Sequence, residues 1–216
     1  MEPERIVIPV GSESVSGLLL RPDGAKALYL FAHGAGTNMA HKSMASSAEG
    51  LAARGIATLR YNFLYTEMGS KRPDAPKLAH AAVRAAAARA AEIAGDLPIY
   101  AGGRSFGGRM TSQAQAAEPL PGVGGLAFLG FPLHPAGKPG VERAAHLADV
   151  PLQMSHTHWE HRWTSTLAKT RTVLGHEPNE FSSARATLSL PIASLAPDAT
   201  AREARAEQSG ARRASY

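Results

Sequence analysis

Gly103-Arg104-Ser105-Phe106-Gly107 sets a serine between two glycines at the spacing G-x-S-x-G. A serine hydroxyl acts as a nucleophile when a sharp backbone turn presents it. Glycines on either side permit that turn and keep other side chains away from it. Pro98-Ile99-Tyr100-Ala101 before the motif reads as a strand, and about Met110 to Ala117 after it reads as a helix. The helix N-terminus would add a positive dipole at the serine. The bland alternative is a glycine-rich turn that happens to carry a serine. A second motif, His33-Gly34-Ala35-Gly36, ends the apolar run Ala27-Leu28-Tyr29-Leu30-Phe31-Ala32. Acyl transfer needs preorganised N–H donors for the oxyanion that develops on the carbonyl. Phe106, directly after the serine, would give one, and Ala35 the other. Gly34 and Gly36 would let substrate approach the backbone. His33 by itself reads as a packing or hydrogen-bonding histidine.

Positioning these motifs takes a particular set of elements. Arg5 to Val10 and Val15 to Arg21 read as a hairpin. The run from Ala27 to Ala32 suits a strand buried on both faces. His41 to Arg54 reads as a helix closed by Gly55, and Ala57 to Tyr61 as the next strand. Tyr65 to Pro76 reads as a polar loop. Lys77 to Ala94 is alanine-rich and helix-forming. Leu126 to Phe131 reads as a strand, Pro132 to Pro139 as a loop and Val141 to Leu147 as a short helix. Short apolar strands alternating with helices predict an α/β fold, a doubly wound and mostly parallel sheet.

The 216 residues fit one domain with a real core. There is no cysteine, which excludes disulfides, thiolate metal sites and a cysteine nucleophile. No apolar run approaches the length of a membrane span. The expected setting is cytoplasmic, without membrane attachment. The net charge is +5, but the basic residues are scattered, and Lys71-Arg72 and Arg212-Arg213 are the adjacent pairs. A solvated basic surface is expected, with no nucleic-acid partner.

Several motifs occur in order. They are His33 to His41; Leu59-Arg60-Tyr61-Asn62-Phe63 with Glu67 and Arg72-Pro73-Asp74; Gly102 to Arg109; and Gly130-Phe131-Pro132-Leu133-His134-Pro135. Together they resemble the dienelactone-hydrolase-related α/β-hydrolases. The nearest subgroup includes the hydrolase-like domain of an NSL chromatin-complex subunit and its bacterial relatives. The resemblance covers about residues 1–154. It implies an α/β-hydrolase core, Ser105 as nucleophile, a small ester-like substrate and no cofactor or metal.

After Met154 the pattern changes. The resemblance implies an acid after a strand near Pro151-Leu152 and a later histidine, in the order serine, acid, histidine. Neither context is found. Glu160 with His176 has the order but not the surroundings, and no histidine follows Asp198. Acid and base are therefore unassigned. One explanation is a shifted reading frame. The codons of Ser155 to Trp163, read one base along, can encode Leu-Thr-Leu-Thr-Gly-Asn-Thr-Asp-Gly, which resembles the missing acid motif. Residues 155–216 would then carry no selected chemistry and no fixed structure. A chain lacking its last strand and helix is expected to be weakly stable or to associate. A rival reading takes His156-Thr157-His158-Trp159-Glu160-His161 as a metal motif like that of metallo-β-lactamase-type hydrolases, but the further ligands are lacking and an exposed histidine-rich stretch is expected. His134 reads as structural. His41 and Lys42 would touch substrate or start a helix, and Tyr65, Glu67 and Arg72 would either border the active-site rim or lie in a solvated loop. The expected function is a serine hydrolase of carboxylic esters. The alternative is a catalytically incomplete, hydrolase-like binding domain.

Overall fold

The computed structural model of the chain describes residues 1–134, 138 and 140–150, and the backbone of 153–157. Two strands, β1 (Glu4–Val10) and β2 (Glu13–Leu20), form the expected hairpin around Gly11, whose φ of 62° suits the turn. β3 (Ala27–Ala32) and β4 (Ile56–Tyr61) are buried at every position. They flank α1 (Lys42–Ala52), which packs on the sheet through Met44, Ala48 and Leu51. α2 (Leu64–Glu67) and α3 (Pro76–Ala94) lead to β5 (Ile99–Arg104). Then follow α4 (Phe106–Ala117), β6 (Val123–Leu129), a 3₁₀ helix (Glu142–Asp149) and β7 (Gln153–Thr157).

The seven strands are ordered β1-β2-β4-β3-β5-β6-β7. β1 and β2 pair antiparallel, as do β2 and β4, and every later pairing is parallel. The sheet is covered on both faces, as its continuous apolar strands require. Along β3, Leu28, Leu30 and Ala32 join the larger core with α3 and α4, while Tyr29 and Phe31 join a smaller one with Met44 and Leu51 of α1. This is the doubly wound, mostly parallel sheet expected from the sequence.

Several boundaries differ from the sequence reading. Leu64–Glu67 forms a helical turn inside the expected polar loop, because the Asp74 carboxylate accepts a hydrogen bond from the Tyr65 N–H at 3.2 Å. β5 runs on through Gly102 and Gly103 to Arg104, and α4 starts at Phe106 rather than Met110. Gly107 and Gly108 argue against helix by propensity, but a Cβ on Gly107 would clash with the His33 carbonyl oxygen and one on Gly108 would lie 3.0 Å from the Gly103 carbonyl oxygen. The 3₁₀ helix extends to Asp149, and β7 runs to Thr157, past the change in composition at Met154. Glu160, His176 and Asp198 lie outside the described residues, as do His158, His161 and the rest of 158–216. Among the described residues no helix is long and apolar enough to cross a membrane.

Candidate active site

β5 enters the centre of the sheet and α4 leaves it within one residue, so the chain must reverse at Ser105. It does so with φ 48° and ψ −111°, the one positive φ at a non-glycine residue among those described. An L-residue in this region carries about 1–3 kcal/mol of strain, which the surrounding packing must hold. Ser105 occupies the N-cap of α4, where a serine hydroxyl ordinarily accepts a bond from the helix N–H groups. Here it makes no capping bond, and the residue is exposed. The Ser105 N–H donates to the Gly130 carbonyl at 2.9 Å, and the Ser105 carbonyl accepts from the Arg109 N–H at 3.1 Å. The turn is thereby fixed to the end of β6 and to the first turn of α4, while Oγ stays outward.

The two glycines of the motif are required by contact. A Cβ on Gly103 would strike the Ala32 carbonyl oxygen, and one on Gly107 would lie 2.5 Å from the His33 carbonyl oxygen. Both neighbours are at the end of β3, which carries the second motif. A Cβ on Gly34 would sit 3.8 Å from the Ser105 Cβ and 3.5 Å from the Arg104 carbonyl oxygen, so the His33–Gly36 loop runs alongside the serine. Gly36 has φ 72°. Thr37 closes the loop by donating its hydroxyl to the Gly34 carbonyl at 2.8 Å. The Phe106 N–H is the first of α4 and has no intrahelical acceptor. Neither it nor the Ala35 N–H bonds to a backbone carbonyl among the described residues. The structure thus brings Ser105, Phe106, Gly34, Ala35, Gly36, Gly103 and Gly107 to one end of the sheet, at the carboxyl ends of β3 and β5.

His33 is fully buried beneath this loop. Its Nε2 accepts the Phe63 N–H at 3.3 Å, and the Thr66 hydroxyl lies 3.4 Å away. Since an N–H must meet a lone pair, the ring proton is on Nδ1, which donates to the Gly34 carbonyl at 2.9 Å. Burial holds the His33 pKa below its ordinary value and keeps the ring neutral. His33 is the hydrogen-bonding histidine expected from the sequence, tying the glycine loop to the segment after β4. Asn62 reinforces the tie, accepting from the Met39 N–H at 2.9 Å, and the buried Arg60 donates to the Met39 carbonyl at 3.1 Å.

Sequence reasoning missed the aromatic floor of the site. Phe106 packs edge-on against Phe63 at 5.2 Å and Tyr65 at 6.4 Å, and Phe63 against Tyr61 at 5.6 Å. The signal was the i, i+2, i+4 spacing of Tyr61, Phe63 and Tyr65. The Arg109 guanidinium covers the Phe106 ring at 5.9 Å.

The other candidates divide clearly. His41 caps α1, accepting from the Ser43 N–H at 3.3 Å, and Lys42 opens that helix on the exposed side. Glu67 is a brace, accepting from the Ser16 N–H at 2.7 Å and from Asn62 at 3.1 Å. Arg72 is exposed, and its backbone N–H donates to Ser70 Oγ. The His134 carbonyl accepts from Arg143 at 3.3 Å. A serine–histidine contact does occur elsewhere, Ser112 Oγ to His146 Nε2 at 2.7 Å. Ser112 is fully buried in α4 and donates to the Arg109 carbonyl, so this contact fastens the 3₁₀ helix to α4. Among the described residues no histidine is hydrogen-bonded to Ser105, and no group of three histidine or acidic side chains could hold a metal ion. His156 falls in β7, where the backbone alone is described.

Comparison with known proteins agrees with this architecture. A dienelactone hydrolase from Anabaena variabilis is 22% identical over 80% of this chain and 96% of its own, with a TM-score of 0.55. An alpha-beta serine hydrolase homologue from Coxiella burnetii is 18% identical over 81% of this chain and 96% of its own, with a TM-score of 0.56. A cold-adapted esterase from an Arctic intertidal metagenomic library is 19% identical over 71% of this chain and 70% of its own, with a TM-score of 0.52. At such identities the likeness is one of fold. No curated protein matches the chain in sequence. The alpha/beta hydrolase domain family matches residues 25–159, well over half of the chain. With the strand order, the serine turn and the glycine loop already in place, the chain belongs to the alpha/beta hydrolase domain family.

Proposed function

We propose that the chain is a serine hydrolase of small carboxylic-ester substrates, with Ser105 as its nucleophile. The observation that carries this reading is the strained, outward-facing Ser105 at the β5–α4 turn, whose hydroxyl is not spent on capping the helix. Ser105 Oγ attacks the ester carbonyl, and the carbonyl π pair moves onto oxygen. The N–H groups of Phe106 and Ala35 hold that oxyanion. The proton given up by Ser105 Oγ passes by way of the base to the departing alkoxide; collapse expels the alcohol and leaves an acyl-serine, which water then hydrolyses. No metal or cofactor takes part. The sequence resemblance puts the acid after β7 and the base later in the chain, and both stay unassigned. The dienelactone hydrolase and esterase among the structural neighbours are in keeping with a small ester. The likeness to the subgroup containing an NSL chromatin-complex subunit rests on the sequence motifs.

Labelling by a fluorophosphonate probe tests the reading, because the probe reacts with an activated serine. Labelling of the wild type that is lost in Ser105→Ala is the expected result. A folded wild-type protein that takes no label would overturn it, and would favour the incomplete, hydrolase-like binding domain instead.

A further inference from the structure

We propose that Arg109 and Arg143 form an anion subsite beside Ser105, which takes the phosphate of a phosphorylated ester. This names the substrate class for Ser105 and rests on the reading of that serine as nucleophile. Arg109 is one helical turn on from the serine, and its N–H donates to the Ser105 carbonyl at 3.1 Å. Its guanidinium lies 5.9 Å over the ring of Phe106, the residue directly after the nucleophile. Arg143 is tied to the same place from the other side. The end of β6 meets the serine where the Gly130 carbonyl accepts the Ser105 N–H at 2.9 Å. The chain leaving Gly130 then holds Arg143, whose N–H donates to the Leu133 carbonyl and whose Nη1 donates to the His134 carbonyl, both at 3.3 Å.

The two guanidinium groups lack counter-charges. Among the described residues the ion pairs are Arg84–Glu118 and Arg89–Glu92, and neither Arg109 nor Arg143 takes part. The Nε of Arg109 is buried without a hydrogen-bond partner. Arg60 and Arg89 share that feature, but Arg60 donates to the Met39 carbonyl and Arg89 is paired with Glu92. Around Arg109 the charges are of its own sign. Burial lowers its pKa, and Arg143 lowers it further. Burial likewise lowers the His146 pKa, Arg109 and His80 add to this, and Asp149 opposes them. Glu142, next to Arg143 in the chain, lies against Gly140. Like charges gathered in partly desolvated surroundings are costly until an anion joins them. Arg109, Arg143, His80 and His146 are each half-buried, so each keeps surface that a small ligand can meet. Two guanidinium forks match a phosphate monoester, which brings two charges and three free oxygens for paired N–H bonds. A carboxylate would leave one charge unmatched. The phosphate is bound and not transferred: it selects which ester reaches Ser105.

Paired substrates test this. For the wild type, kcat/KM with acetoxyethyl phosphate should exceed that with the neutral methoxyethyl acetate by about tenfold or more, as charge-assisted hydrogen bonds imply. Arg109→Gln and Arg143→Gln should each bring that ratio close to unity. The ratio is taken within one protein, so a general loss of activity does not move it, and either variant suffices where the other fails to fold. A wild-type ratio near unity would overturn the proposal, as would a ratio that both variants leave unchanged. Equal turnover of acetoxypropionate, whose anion is a carboxylate, would overturn the choice of phosphate. Binding is also read without catalysis: inorganic phosphate should raise the melting temperature of Ser105→Ala but not of Arg109→Gln, and no rise in Ser105→Ala would count against the subsite. Fluorophosphonate labelling separates the two readings. A labelled wild type with a ratio near unity removes the subsite alone, whereas a folded wild type that takes no label removes the nucleophile and with it the substrate class.

Discussion

Ser105 adopts a backbone conformation that glycine would hold without strain, and that difference can be measured. Ser105→Gly and Ser105→Ala both remove the hydroxyl, but only glycine relaxes at φ 48°. Ser105→Gly should therefore be more stable than Ser105→Ala by about 1 kcal/mol in urea denaturation, and neither should take the fluorophosphonate label. Equal stabilities would mean that the turn stores no strain. The motif was legible in the sequence because each of its residues answers a local need: sharp reversal, small neighbours and an exposed hydroxyl. The partners were not. That Gly103 and Gly107 press on the Ala32 and His33 carbonyl groups follows from the pairing of β3 with β5, across some seventy residues of chain.

His33 joins two elements that the sequence suggests separately, the end of β3 and the segment leading into α2. Its neutral ring accepts from the Phe63 N–H, and a second ring proton on Nε2 would confront that N–H directly. Burial also lowers the pKa of His80 and His146, the latter helped by the nearby Arg109 and His80. For all three histidines the folded protein binds a proton less readily than the unfolded chain, whose value is about 6.5. Their contribution to stability is therefore complete above that value and declines as the pH falls through it. The melting temperature should drop on going from about pH 7 to pH 5, more steeply than in His33→Gln, whose amide oxygen can accept the Phe63 N–H without titrating. A melting curve flat across this range would contradict it. Element boundaries were least legible where distant groups decide them. The short helix α2 depends on Asp74, nine residues away from Tyr65, and the early start of α4 on two glycines that helix propensity disfavours. The strands β3 and β4 were legible because burial on both faces leaves a continuous apolar run.

At the scale of the molecule, the two edges of the sheet differ among the described residues. β1 pairs on one side with β2, and its outer edge carries Glu4, Arg5 and Pro9, which discourage further pairing. β7 pairs on one side with β6, and Gln153-Met154-Ser155-His156-Thr157 has neither proline nor a permanently charged residue. Association through this edge is the expected outcome, visible as concentration-dependent mass in light scattering and reduced by Ser155→Lys. A monomer that stays monodisperse at about 100 μM would contradict the edge argument. The overall plan was legible from alternating strands and helices and from motif order. No acid or base was legible, because Glu160 and His176 have the expected order without the expected surroundings.

The alanines of α3 have one more consequence. Ala79, Ala82, Ala86, Ala87, Ala90 and Ala94 are all buried, with Val83 beside them, so the helix meets the sheet mainly through methyl groups. It is seated by closeness of fit, with almost no side-chain freedom lost on folding. An interface this tight has little slack for added volume. In a saturation mutagenesis screen these six positions should form a periodic stripe that accepts glycine or serine and rejects larger residues, a signature of helix α3 readable without any assay of the active site.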